Sequence, residues 1–82
     1  MLTIKVLGPG CPNCRTVEEV ARRAAGKLGL EATIEKVTAM PEIIRLGVIR
    51  TPGLVINDKV VCFGRIPSEA EVTSWLATAA GP

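Results

Sequence analysis

The sequence predicts a single α/β domain over residues 1–82, a four-stranded mixed sheet with three helices in the order β-α-β-α-β-β-α. Three observations carry this reading. Short aliphatic runs of strand composition fall at 2–7, 31–37, 51–57 and 59–64. Between and after them lie segments whose apolar residues recur at helical spacing. The last two strands meet around "ND", a tight hairpin signal, whereas the first two are separated by a helix, which calls for a right-handed parallel crossover. Helices are therefore expected on both faces of the sheet.

The elements follow in order. "LTIKVL" alternates, with Leu2, Ile4 and Val6 facing one way and Thr3, Lys5 and Leu7 the other. "GPG" breaks this strand. From Pro12 to Leu28, residues Val17, Val20, Ala21, Ala24, Ala25 and Leu28 form one face of an amphipathic helix, and Glu18, Glu19, Arg22 and Arg23 the other. Pro12 suits the first turn, where a missing N–H costs nothing, and Gly29 suits the position that ends the helix. "EATIEKV" (31–37) is the second strand, and "PEIIRLG" (41–47) a short helix opened by proline and stopped by Gly47. "TPGLVIN" and "KVVCFG" flank the "ND" turn. Ser68 and Glu71 form a capping box for a final helix that buries Val72, Trp75, Leu76 and Ala79.

Composition narrows the function. With 48% hydrophobic residues and a net charge of +2, the chain is not of the disordered class. It has one Trp, one Phe, no Tyr and no basic run, so it offers neither a stacking platform nor an electrostatic stripe for nucleic acid. No apolar run approaches the ~20 residues that span a bilayer. "MLTIKVL" does not read as a signal peptide, so the cytoplasm is the expected location. Three cysteines cannot make a disulfide framework, and in a reducing compartment a Cys-x-x-Cys pair is catalytic or metal-binding more often than structural.

That pair is Cys11 and Cys14 in "GPGCPNCR". With Cys11 at the N-cap of the first helix, Cys14 lies one turn further on the same face, within reach for a disulfide. Unsatisfied N–H groups and the positive end of the helix dipole favour a thiolate at Cys11, and first cysteines of such motifs are often brought to a pKa of about 7 or lower. Cys11 is therefore assigned as nucleophile and Cys14 as resolving thiol. Arg15 could favour the thiolate further, as could Lys5 if its side chain pointed towards the sulfurs. The plain alternative is two small buried residues. Cys62 reads as a buried thiol on the strand face opposite Val61 and Phe63, with a third redox or metal-binding thiol as the alternative. Three cysteines and no histidine cannot complete a four-ligand zinc site.

"CPNC" at a strand-to-helix junction, Thr51-Pro52 opening the third strand and Gly64 ending the hairpin together resemble the thioredoxin fold, over essentially the whole chain. The chain looks most like the compact thioredoxin/glutaredoxin-like, redox-active disulfide proteins. The resemblance implies that Pro52 is cis and faces the active pair, and that the Thr51 backbone pairs with an extended substrate segment. It implies a thiol–disulfide oxidoreductase acting on protein disulfides, with a flavoprotein of the thioredoxin reductase type as electron donor, no resident cofactor, and a monomeric state. The substrate groove is then expected along Pro9, Gly10, Cys11, Pro12, Ile49, Arg50, Thr51, Pro52 and the Gly64-Arg65 turn, where Arg50 and Arg65 are candidates for selecting acidic partners. The chain departs from the pattern in three places. Its motif is neither "CGPC" nor "CPYC"; Pro9 and Gly10 stand where thioredoxins have a Trp before the first Cys; and the first strand lacks their buried acid. "GRIPSEAE" does not match the usual glutathione site. Heavy-metal-associated domains also place a CxxC between strand and helix, so a soft-metal or metalloid binding module is the second reading. They resemble the chain less, because they end in a strand.

Overall fold

Aliphatic alternation in the first strand and a hairpin at the end of the sheet put four strands side by side, in the spatial order β2-β1-β3-β4. The computed structural model describes residues 2–10 and 12–81. The elements are β1 (Leu2–Leu7), α1 (Pro12–Leu28), β2 (Ala32–Val37), α2 (Met40–Arg45), β3 (Gly53–Ile56), β4 (Lys59–Phe63) and α3 (Glu69–Ala80). β1 pairs parallel with β2, from Leu2↔Ala32 to Leu7↔Val37, as a helical crossover requires. β1 and β3 are antiparallel, from Ile4↔Ile56 to Leu7↔Gly53, and β3–β4 is an antiparallel hairpin. Asn57 and Asp58 turn it with φ values of 49° and 66°, the left-handed pair that matches strand twist.

Two apolar layers cover the two faces. On one, Leu2, Ile4 and Val6 of β1 pack with Val17, Val20, Ala21, Ala24 and Ala25 of α1 and with Val72 and Leu76 of α3. On the other, Leu7 and Val55 pack with Ile43 of α2 and with Val48. Trp75 and Ala79 are half-buried against the first layer, not sealed within it.

Local signals explain the helix ends. α1 stops in a Schellman arrangement: Leu30 N–H donates to Ala25 O and Gly29 N–H to Gly26 O, each at 3.1 Å, with Gly29 at φ 65°. α3 starts on the expected capping box, with Glu71 N–H donating to Ser68 Oγ (3.1 Å) and Ser68 N–H to Glu71 Oε1 (3.0 Å). α2 begins one residue earlier than its proline suggests and ends at Arg45, with Leu46 and Gly47 forming the closing turn.

One expectation fails. Strict alternation puts Cys62 and Val61 on opposite faces, yet both pack into the α1/α3 layer. The cause is a β-bulge: Leu54 faces Cys62 while the next residue, Val55, faces Val60, so Val61 is an extra residue in β4. Among the described residues no helix is long and apolar enough to cross a membrane.

Candidate functional site

The site is built where β1 ends. Gly8 continues the strand direction, its N–H donating to Val37 O at 2.9 Å. Pro9 and Gly10 then cross the open end of the sheet, both exposed, with Gly10 at φ 91°. α1 opens with Pro12, exposed like Asn13. Cys11 lies outside the described residues. Cys14, on the inner face of the first turn of α1, is 5% exposed.

Gly8 is the residue on which this arrangement rests. Its backbone is outside the left-handed region, so what it supplies is space. A Cβ built on Gly8 would overlap Sγ of Cys14 and lie 3.6 Å from Cβ of Thr51. The missing side chain therefore leaves room for the Cys14 sulfur against the strand end, with Thr51 close to the same space. Sequence reasoning treated Gly8 only as part of a strand-breaking "GPG". The signal that could have found it is position, as the last residue of a strand onto which the following helix start folds back.

Thr51 is half-buried and Pro52 buried, and the peptide bond between them is cis, as the resemblance implies. β3 starts at Gly53, two residues later than expected, with Thr51 and Pro52 forming a bend before it. A Cβ on Gly53 would lie 3.0 and 3.3 Å from the methyl groups of Val48 and 3.5 Å from Cβ of Leu7, so the loop after α2 backs this wall closely. On the hairpin side, Gly64 N–H donates to Pro52 O at 2.9 Å. The structure thus brings Gly8, Cys14, Thr51 and Pro52 together, with Pro9, Gly10 and Pro12 on the rim. Ile49, Phe63 and Ile66 are exposed apolar residues of the Arg50–Pro52 and Gly64–Arg65 segments and their neighbours.

Beside Cys14 lies a cavity of ~140 Å³, bordered by Gly8, Cys14, Arg15, Glu18 and Lys36 among others. Nothing in the sequence marks Glu18 or Lys36 as a site residue; the fold brings them there. The Glu18 carboxylate is held by Arg22 at 2.8 Å and by Lys36 at 3.3 Å. Its hydrogen bond to Arg22, seconded by Lys36, keeps its pKa below the ordinary carboxylate value against the opposing effect of partial burial.

Three further expectations resolve here. Lys5 leans towards Asp58 at the hairpin turn, 3.9 Å away, and so away from the end of β1 where Gly8 meets Cys14 of α1. Arg65 is engaged by both carboxylate oxygens of Glu71, at 2.9 and 2.8 Å, and its charge is spent within the protein. Cys62 is buried, its Sγ 3.9 Å from Arg65 O, and burial pushes its thiol pKa up despite the nearby guanidinium. Among the described residues there is no group of three or more His, Cys, Asp or Glu side chains that could hold a metal ion.

Comparison with known proteins agrees with this geometry. The family model described as a thioredoxin domain matches residues 2–77. A thioredoxin of Methanothermobacter thermautotrophicus is 35% identical over 77 residues, covering 94% of this chain and 100% of that protein. A thioredoxin of Methanocaldococcus jannaschii is 40% identical over 76 residues, 93% of this chain and 87% of the relative. The crystal structure of Deadhead, a germline-specific thioredoxin of Drosophila melanogaster, superposes with a TM-score of 0.66 over 94% of this chain and 79% of that one; at 18% identity it speaks to the fold. The chain belongs to the thioredoxin family of thiol–disulfide oxidoreductases.

Proposed function

We propose that this protein reduces protein disulfides by cycling Cys11 and Cys14 between dithiol and disulfide. The observation that carries the reading is the juxtaposition at Gly8: the buried Cys14 sulfur and Thr51, of the cis Thr51–Pro52 wall, both lie against the space that its missing side chain leaves. A pair of small residues placed by chance has no need of such a wall. A substrate segment needs one to lie extended beside the reacting sulfur.

The cycle balances as follows. The Cys11 thiolate attacks one sulfur of the substrate disulfide. A mixed disulfide forms, the substrate S–S bond breaks, and the departing sulfur takes a proton. Cys14 then gives up its proton and attacks Sγ of Cys11. The Cys11–Cys14 bond forms, the mixed disulfide breaks, and the second substrate sulfur leaves and is protonated. Two electrons and two protons have passed to the substrate. A flavoprotein of the thioredoxin reductase type returns them, and a reducing compartment such as the cytoplasm suits the direction of flow. Cys11, immediately before Pro12 in sequence, is the attacking group, because a thiolate is favoured next to a helix N-terminus. Cys14 is buried, which suits a resolving thiol that meets no substrate and attacks only the Cys11 sulfur of the mixed disulfide. Pro9, Gly10 and Pro12 leave the rim low, and Thr51 presents backbone to the substrate.

The test uses a small neutral disulfide and insulin, with the protein held reduced by a coupled donor. The wild type should reduce both, and Cys11→Ser should abolish the reaction. Cys14→Ser should still form the mixed disulfide and accumulate it, as seen by intact mass. A wild-type protein inert towards both substrates, or an active Cys11→Ser variant, would overturn the reading.

A further inference from the structure

Charge pairing in this chain leaves a pattern at the site. Of six arginines, four are bound to carboxylates: Arg22 to Glu18 at 2.8 Å, Arg23 to Glu69 at 3.0 Å, Arg45 to Glu42 at 3.0 Å and Arg65 to Glu71 at 2.8 Å. The other two, Arg15 and Arg50, are exposed and form no ion pair among the described residues. Both border the site. Arg15 follows Cys14 and lines the cavity beside it. Arg50 precedes Thr51, and its stem lies across Gly64: a Cβ on Gly64 would sit 3.3 Å from both Cβ and Cδ of Arg50. The stem is thus supported while the guanidinium stays available. Glu18, the carboxylate one turn from Arg15, is already taken by Arg22 and Lys36.

We infer that Arg15 and Arg50 select disulfide partners whose attacked cysteine is flanked by acidic residues. The inference rests on the proposed function and adds the substrate class. Arg15 follows Cys14 and Arg50 precedes Thr51, so the two arginines belong to the two ends of the line that runs from Cys14 over Gly8 to Thr51. A segment lying extended along that line rises ~3.3 Å per residue, so side chains one or two positions either side of its cysteine come within reach of a guanidinium. Arginine suits the task, because its planar fork meets a carboxylate with two hydrogen bonds. Ile49, 81% exposed next to Arg50, gives the same segment an apolar contact. The partner is therefore an extended protein segment with Asp or Glu beside the disulfide, not a basic or uncharged one.

Three peptides of one sequence test this, each carrying its cysteine as a pyridyl disulfide and differing only in flanking Asp, Asn or Lys. Release of pyridinethione reports the first attack. At low salt the Asp peptide should react about fivefold faster than the Lys peptide, the scale of two exposed ion pairs. The ratio should fall towards one at high salt. In the Arg15→Gln/Arg50→Gln variant the ratio should be below about twofold, and in Arg50→Glu it should shift towards the Lys peptide. Each ratio is taken within one variant, so a general change in thiol reactivity cancels. A wild-type ratio near one, or an Asp preference that survives in the double variant, overturns the inference and leaves the proposed function standing. A wild type inert to all three peptides and to a small neutral disulfide overturns the proposed function and this inference with it.

Discussion

Gly8→Ala isolates the contact on which the site is built. The new methyl group would overlap Sγ of Cys14 and press on Thr51, whose Cβ would be 3.6 Å away. Cys14 is 5% exposed and belongs to a helix face packed on the sheet, so the sulfur cannot swing into solvent to make room. Overpacking of this kind costs typically 1–3 kcal/mol, and with a direct overlap on one side and an ordinary contact on the other, about 2 kcal/mol is expected. In urea, with a slope near 1 kcal/mol per molar for a chain this small, the midpoint should fall by ~2 M at unchanged slope. The diagnostic measurement is the double-mutant cycle under reducing conditions. Cys14→Ala removes the sulfur, so Gly8→Ala on that background should cost less than about 0.5 kcal/mol, a coupling of more than about 1 kcal/mol. If Gly8→Ala is equally costly with and without the Cys14 sulfur, or harmless in both, the reasoning about the strand–helix junction is refuted.

Other outcomes follow from the same structure. Ser68→Ala removes the hydroxyl that accepts from Glu71 N–H and should lower stability by about 1 kcal/mol in chemical denaturation. Arg65, with help from Ser68, holds the Glu71 carboxyl down to about 2, so its stabilising charge is complete above the ordinary carboxylate value of 4.5 and fades as pH falls from there to about 2. The difference in melting temperature between wild type and Glu71→Gln should therefore be constant at pH 5–7 and shrink steadily between pH 4.5 and 2; a difference that widens on acidification would contradict the sign. Cys62, buried and with its thiol pKa raised, should resist brief alkylation at neutral pH in the native protein and react readily once unfolded. Rapid native labelling of Cys62 would show that the β4–α3 junction opens.

Much of this molecule could be read from local patterns, since local physics decides them. Alternation in "LTIKVL", the helical face from Val17 to Ala25 and the Ser68/Glu71 capping box each depend on neighbours in sequence and match the expectation; Leu28, expected on that face, is exposed at the last turn. The turn at Asn57-Asp58 is legible for the same reason, as both residue types tolerate positive φ. What escaped depends on partners distant in the chain. The bulge at Val61 comes from fitting β4 to β3, and it moves Val61 to the face that Cys62 occupies. Arg65 looked as available as Arg50 until Glu71 was found holding it by both oxygens. Gly8 reads in the sequence like Gly10, and its role follows from what lies against it, the sulfur of a residue on the next element. The site was legible as a motif, while its support and its charge pattern became visible only with the fold.

The most direct measurement equilibrates the protein in thiol–disulfide buffers of graded potential, quenches with an alkylating agent after denaturation, and maps the three cysteines by mass spectrometry. The expected result is that Cys11 and Cys14 lose their label together, linked to each other, in a single two-electron transition of about 30 mV per tenfold change in ratio. Cys62 should stay labelled throughout. A Cys11–Cys14 pair that remains dithiol in the most oxidising buffer, or a bond that forms to Cys62 instead, would contradict the claim that this site is a redox dithiol.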